Sequence, residues 1–344
     1  MSDSSRGFTF VELVVTVGLM SIVVSAVAVL AVNTDRLARS QSRDIEVQQR
    51  GRVIAETLGR DLRLVGAGVD RGPMSGPLSQ SFSPVFPRRV GRTRPDAVSA
   101  ARPDAITLVH VPNTTWQTSL AQADAPSSGG IVLSPCAGGA MPCPSVRGAT
   151  LALFEPPGRV DLLGVLGISG ATTQVRVLGT SAGLFDAGSA VAEVVVRSYY
   201  FDAVQGQLRL YDGDASDQAV VDGVAALSFE YFGATDPPSW PRPPLGQQNC
   251  LYDVTGAWRG GVTLTALDDG LAPLPLAMFS DGPWCGAGGA AFDADLLRIR
   301  RIRVQVRLRA TGAGEARPDY RVAFDISPKN LALSGASGGT DPSW

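Results

Sequence analysis

Gly7-Phe8-Thr9-Phe10-Val11-Glu12-Leu13 opens the stretch around which the rest of the chain is arranged. Behind it, Leu13 to Val32 gives 20 residues without a charge. At the rise of an α-helix that run is about 30 Å long, the hydrocarbon thickness of a bilayer. Glu12 lies just inside the apolar boundary, where an unpaired acid costs on the order of a few kcal/mol and marks a specific partner. Further along, no proline occurs between Asn33 and Val65. Ile54, Leu58, Leu62 and Val65 recur at helical spacing, while Arg52, Glu56, Arg60, Asp61 and Arg63 fill other faces. The pattern predicts one helix from about Phe8 to Val65, stopped by Gly66, Gly68 and Pro73, with Gly18, Gly51 and Gly59 as its weak points.

The opening residues resemble the type IV prepilin signature: a short polar leader ending in Gly, then Phe, an acid four residues after it, and about twenty apolar residues. The resemblance implies a leader peptide over 1–7, cleavage between Gly7 and Phe8 by prepilin peptidase, and N-methylation of Phe8. It also implies that the new amine of one subunit neutralises Glu12 of its neighbour, so that each subunit leaves the inner membrane most easily when docked on the next. Many pilins kink the apolar half with a proline, and this chain does not. Gly51-Arg52 through Arg60-Asp61-Leu62-Arg63-Leu64-Val65-Gly66 resembles a segment of PilW-type minor pilins and, more loosely, of the J-type pseudopilins of type II secretion. Other readings stay open. Ala26-Val27-Ala28 would serve as the cleavage site of an ordinary secretory signal peptide, and the segment would also serve as an uncleaved anchor. The Arg52–Arg63 charges are equally what a solvated helix end with i,i+3 and i,i+4 ion pairs carries.

The chain has 344 residues, with 30 basic and 32 acidic side chains and a formal net charge of −2, so no global field points to nucleic acid or anionic lipid. Lys329 is the one lysine, a bias that reflects genome composition rather than guanidinium chemistry. Gly and Pro make up about a fifth of the residues, rich in turns but short of a disordered composition. Four cysteines, Cys136, Cys143, Cys250 and Cys285, all follow the membrane-length segment. An even count in a translocated domain argues for disulfides, and sequence order favours Cys136–Cys143 and Cys250–Cys285, although four cysteines allow three pairings. Zinc is the rival reading, opposed by the lack of a C-x-x-C pair and by His110, the single histidine, which is remote from all four in sequence.

Residues 66–103 read as a Pro/Arg-rich linker in which Arg88, Arg89, Arg92, Arg94 and Arg102 form a basic cluster. A solvated loop is the favoured reading; contact with DNA phosphates is the alternative, without aromatic residues among the arginines to stack bases. From Asp104 the period shortens, and residues 104–334 are expected to form a β-rich head. Candidate runs are Ala105 to Val111, Ile131 to Leu133, Thr150 to Phe154, Val160 to Ile168, Gln174 to Leu178, Val191 to Phe201, Gln207 to Tyr211, Val221 to Phe232, Arg301 to Arg309 and Tyr320 to Ile326. Short connections favour antiparallel pairing. Asp212-Gly-Asp214-Ala-Ser-Asp217 has a faint look of a calcium loop but lacks the glycine and closing glutamate of an EF-hand, so a turn is expected. Residues 236–291, with Trp240, Trp258 and Trp284, read as an insertion and the best place for a distinctive binding surface. In Arg301 to Arg309 the odd positions Arg301, Arg303, Gln305, Arg307 and Arg309 alternate with Ile302, Val304, Val306 and Leu308, a half-buried strand with an arginine ladder outside. Residues 335–344 read as a flexible tail. Val221 to Phe232 and Arg301 to Asn330 loosely resemble the distal half of PilW-type proteins.

The fold class expected is therefore α+β, a long N-terminal helix packed on an antiparallel β domain, pilin-like. The resemblance implies a non-enzymatic minor pilin that primes and caps a type IV pilus, with a J-type pseudopilin as alternative and a tip-displayed adhesin or DNA receptor as a third reading. The partners implied are prepilin peptidase, the other minor pilins and the major pilin (or pseudopilins), the inner-membrane assembly platform and the inner membrane itself. The location implied is a single inner-membrane pass with the head outside the cytoplasm, then a pilus or pseudopilus. One histidine and the absence of G-x-S-x-G, H-E-x-x-H and P-loop motifs argue against an enzyme, and no cofactor or metal is expected.

Overall fold

A 55-residue helix, α1 (Phe10–Leu64), enters a head built from two antiparallel sheets. The computed structural model describes residues 9–67, 83–91, 101–112, 117–135, 147–154, 160–178, 184–239, 242, 245–248, 251–259, 262–279, 294–309 and 319–331. Gly7, Phe8, the four cysteines, Arg92, Arg94 and the 335–344 tail lie outside them. The α+β class read from the sequence is borne out: an apolar N-terminal helix is followed by a globular antiparallel β domain.

The smaller sheet has the order β12-β11-β13-β14, from β11 (Val224–Gly233), β12 (Ala272–Leu274), β13 (Ile299–Leu308) and β14 (Tyr320–Ile326). Strict alternation gives it a core face: Ile302, Val304, Val306 and Leu308 of β13 are buried, as are Leu227, Phe229 and Tyr231 of β11. The rear of α1 covers this face, and Ile54, Leu58, Leu62 and Val65 are wholly buried there, along the stripe their spacing marked out.

The larger sheet is threaded on one long strand, β8 (Ala190–Asp202). Its C-terminal half pairs with β2 (Ala105–His110) on one side and β9 (Gln207–Tyr211) on the other. Beyond these lie β1 (Val85–Phe86), paired with β2, and β10 (Asp217–Asp222), paired with β9. The N-terminal half of β8 pairs with β3 (Gln117–Ser119) and β5 (Thr150–Phe154). From β5 the order continues through β6 (Val160–Ser169) and β7 (Thr172–Val177) to β4 (Gly130–Val132). The ring then closes. Leu120 bridges Leu133, the Ser134 N–H donates to the Ser119 carbonyl at 2.8 Å, and the Ala121 N–H to the Val132 carbonyl at 2.8 Å. The result is a six-stranded barrel, β3-β4-β7-β6-β5-β8, filled by Leu120, Ile131, Leu133, Leu151, Leu153, Leu163, Val165, Val175, Phe185 and Val191. Closure removes sheet edges at this end of the head.

Position along α1 orders the head. Gly51 lies against Tyr320 and Val322, at the start of β14, and Gly59 against Ile326 at its end. At the end of α1 the Gly66 N–H donates to Val109 and the Val111 N–H to Ala67, at 3.2 and 2.9 Å. Because β2 ends there, with His110 opposite Val195, residues 190–194 of β8 carry the barrel past the end of the helix. The chain excursion between β11 and β12 leaves from Gly233, the end of β11 opposite the one that pairs with Leu308. Barrel and excursion therefore share the end of the head away from the apolar half of α1.

The structure differs from the sequence reading in places. The stretch read as a linker contributes β1, and that read as an insertion contributes β12 as an edge strand of the smaller sheet. Pro273 in β12 is compatible with an edge because it needs no second partner for an N–H. The strands β3 and β10 were not expected either; β3 is three residues long, and half of the six residues of β10 are polar.

Candidate assembly surface and head anchors

The front of α1 starts from a local cap. The Thr9 hydroxyl accepts the Glu12 N–H at 3.3 Å, and the hydroxyl lies 3.5 Å from the Glu12 carboxylate, so Thr9 and Glu12 together begin the helix. Behind this cap, Phe10–Asp35 is long and apolar enough to cross a membrane, and none of it is buried against the head. Polar side chains in the segment turn inward: Thr16, Ser21, Ser25 and Thr34 each donate to a carbonyl three or four residues back, at 2.7 to 2.9 Å. That leaves a surface of Val, Leu, Ile and Met with Glu12 as its one exposed acid among the described residues up to Val32. Exposed apolar area of this length requires lipid or other helices.

Among the described side chains of the helix Val47 is the first buried, and from it the head takes hold. Glycine makes the close approach possible. A Cβ on Gly51 would come within 2.9 Å of Val322 Cγ2, whereas one on Gly18, in the front half, would meet nothing. Asp61, read as one of the charges facing away from the core, is instead buried and accepts the Tyr199 hydroxyl at 2.7 Å. Burial, then the bond to Asp61, pushes the Tyr199 hydroxyl well above its ordinary pKa. The last carbonyls of the helix are served from the far end of the chain: Asn330 Nδ2 donates to Val65 at 3.1 Å and to Arg63 at 3.4 Å.

His110 lies at the end of β2, near this anchor. Burial lowers its pKa, with the negative charge of Asp61 working against the shift and Arg197 with it. Among the described residues no three His, Cys, Asp or Glu side chains are grouped to hold a metal ion.

The described arginines of the 88–102 cluster do not form a solvated patch. Arg89 is buried, 4.0 Å over the ring of Tyr200 and 4.9 Å over that of Tyr211, and pairs with Asp217 at 2.9 Å. Tyr200 and Arg209 bond the same carboxylate. Burial alone would raise the Asp217 pKa; the bonds from Tyr200 and Arg209 and the charge of Arg89 outweigh it and leave the group below its ordinary value. Arg102 pairs with Asp104, and Arg88 stacks on Phe86. The Asp212 loop is a turn: its carboxylate accepts the N–H groups of Asp214, Ala215 and Ser216.

The arginine ladder of β13 is likewise answered within the head. Arg303 binds Asp325 through two bonds of 2.7 and 2.9 Å, and Arg307 lies 3.6 Å from Asp319. Arg301 stacks 4.4 Å over Phe232 and pairs with Asp269, tying the β11–β12 excursion to the sheet. Arg298 holds its root: the buried guanidinium donates to the carbonyls of Ala234, Thr235 and Val262 and to Asp295 at 3.2 Å. Burial raises the Asp295 pKa to about 6, against the pull of Arg298.

Asp61, Arg89, Arg298 and Asn330 are thus the anchors that sequence reading missed. Only Asp61 had a visible signal, as an acid next to Leu62 on an otherwise buried face.

Comparison with known proteins adds one finding and two blanks. No curated protein and no solved structure matches this chain. Residues 3–28 match the family model described as the prokaryotic N-terminal methylation motif, which supports a type IV pilin-like subunit.

Proposed function

We propose that the chain is a PilW-like minor pilin, a non-enzymatic subunit that primes and caps a type IV pilus once prepilin peptidase has cut between Gly7 and Phe8. The observation that carries the reading is the unpartnered apolar half of α1 behind a methylation motif. Glu12 is the acid that meets the methylated Phe8 amine of a neighbour, and the apolar helix packs laterally among its sisters. The head supports a low-copy, terminal position. Its barrel and its β11–β12 excursion occupy the end away from the apolar helix, where a repeated subunit would have to leave room for the next. The partners are other minor pilins, the major pilin and the inner-membrane platform, and the head stays outside the cytoplasm throughout.

Mass spectrometry of purified filaments tests this reading. A substoichiometric signal for this chain is expected, together with loss of pili when its gene is deleted; finding it as the bulk of the filament would overturn the minor role. A J-type pseudopilin of type II secretion shares the same helix and β-rich head, and secretion genes beside this one, with intact pili in the deletion, would select that machine instead.

A further inference from the structure

We propose that Arg242, Tyr252 and Trp258, in the β11–β12 excursion, form a binding site for an acidic saccharide. Residues 251–259 make a small hairpin. The Arg259 N–H donates to Leu251 at 2.8 Å and the Asp253 N–H to Ala257 at 3.0 Å, and Tyr252 bridges Trp258 across it. The hairpin is fixed from within, because Asp253 Oδ1 accepts the Thr255 N–H, the Thr255 hydroxyl and the Ala257 N–H at 2.9, 2.6 and 3.0 Å. Residues opposite each other in such a pair share a face. On that face Tyr252 is buried, its hydroxyl donating to the Ser239 carbonyl at 2.6 Å, while Trp258 is 47 % exposed. Arg242 lies 5.2 Å over the Tyr252 ring and is exposed, with no carboxylate partner among the described residues.

The set has two complementary parts. An exposed indole offers a flat apolar face to the C–H face of a sugar ring. A guanidinium already stacked on an aromatic ring keeps its N–H edge for a carboxylate, with little side-chain freedom left to lose on binding. The Tyr252 hydroxyl ties the hairpin to Ser239 and the Asp253 carboxylate holds its turn, so the platform is set by contacts within the protein before any ligand arrives. Arg242 and the indole together favour a ligand that joins a carboxylate to an apolar ring face, while Arg259, next to Trp258 in the hairpin, donates to the Gln248 side chain at 3.1 Å. The site requires only the folded head and is independent of the machine that carries it.

Titration of the full chain in detergent with an oligogalacturonate hexamer, beside a neutral galactan hexamer and a single-stranded DNA of similar length, tests the proposal. The acidic hexamer is expected to bind best. Trp258→Ala should weaken it about tenfold, Trp258→Phe less, and Arg242→Gln should erase the preference for the acidic over the neutral hexamer. All three positions are read in protein whose circular dichroism matches the parent. Absence of binding to the acidic hexamer, equal binding by Trp258→Ala, or a preference for the DNA would each overturn the assignment.

Discussion

The two halves of α1 are one continuous helix with opposite dependencies. From Phe10 to Glu46 no described side chain is buried, and from Val47 onward every turn is locked to the head. The front half carries aliphatic residues whose polar neighbours bond back to the helix itself, so its energetics are set by what surrounds the protein. The rear half carries a buried stripe, a close-packed glycine, a carboxylate held by tyrosine and a cap donated from residue 330. The contrast teaches that length and hydropathy define the first half, whereas the second is defined by contacts more than a hundred residues away.

Substitutions that differ only in which half they strike should separate these regimes. Leu58→Ala removes a wholly buried side chain between helix and sheets and should cost about 2–5 kcal/mol of head stability by denaturant titration in detergent, while Leu19→Ala should leave the same transition unmoved. Arg298→Met, on the head alone, strips the excursion root of its donors and leaves Asp295 without this cation. A loss of about 3–5 kcal/mol is expected, with protease cleavage first between Ala234 and Leu271. Gly51→Ala sets the new methyl against Val322 and should cost about 1 kcal/mol or more, whereas Gly59→Ala, 3.4 Å from Ile326 Cδ1, should be neutral or gain a few tenths through helix propensity.

Two pH effects follow with fixed sign. A group whose pKa is raised on folding contributes stability at low pH that is lost as pH climbs through the folded value. For Asp295, raised from 3.8 to about 6, the folded chain holds an extra proton between those values, so stability should fall as pH rises across that window, and Asp295→Asn should flatten the slope. Tyr199 is raised from its ordinary 10.0, as are Tyr200 and the buried Tyr231, so stability should decline again on the alkaline side, and Tyr199→Phe should lessen that decline.

Legibility in the sequence followed locality. Period alone located α1 and most strands, and the bounds of β5, Thr150–Phe154, came out as read. It could not show that β3 and β4 close a ring with β8, because closure rests on Leu120 meeting Leu133 and on the order of strands, not on any residue's own preference. Buried charges were hidden for the same reason. Arg89 looks like its neighbours Arg88 and Arg92 until Asp217, Tyr200 and Tyr211 arrive from elsewhere, and Asp61 looks solvated until Tyr199 reaches it. The arginine ladder was legible as a pattern, but its answering acids lie on β14, the β11–β12 excursion and the β13–β14 connection. At the N-terminus the motif was local, and the residues that carry it were readable directly.

The most direct test of the account is the mass and N-terminal sequence of the mature chain recovered from a membrane or filament fraction, with Glu12→Val run beside it. The account predicts a chain beginning at methylated Phe8, and a Glu12→Val variant that is still processed but poorly assembled. A chain beginning near Val29, after the Ala26-Val27-Ala28 site, would contradict it and make this a secreted protein with no filament helix.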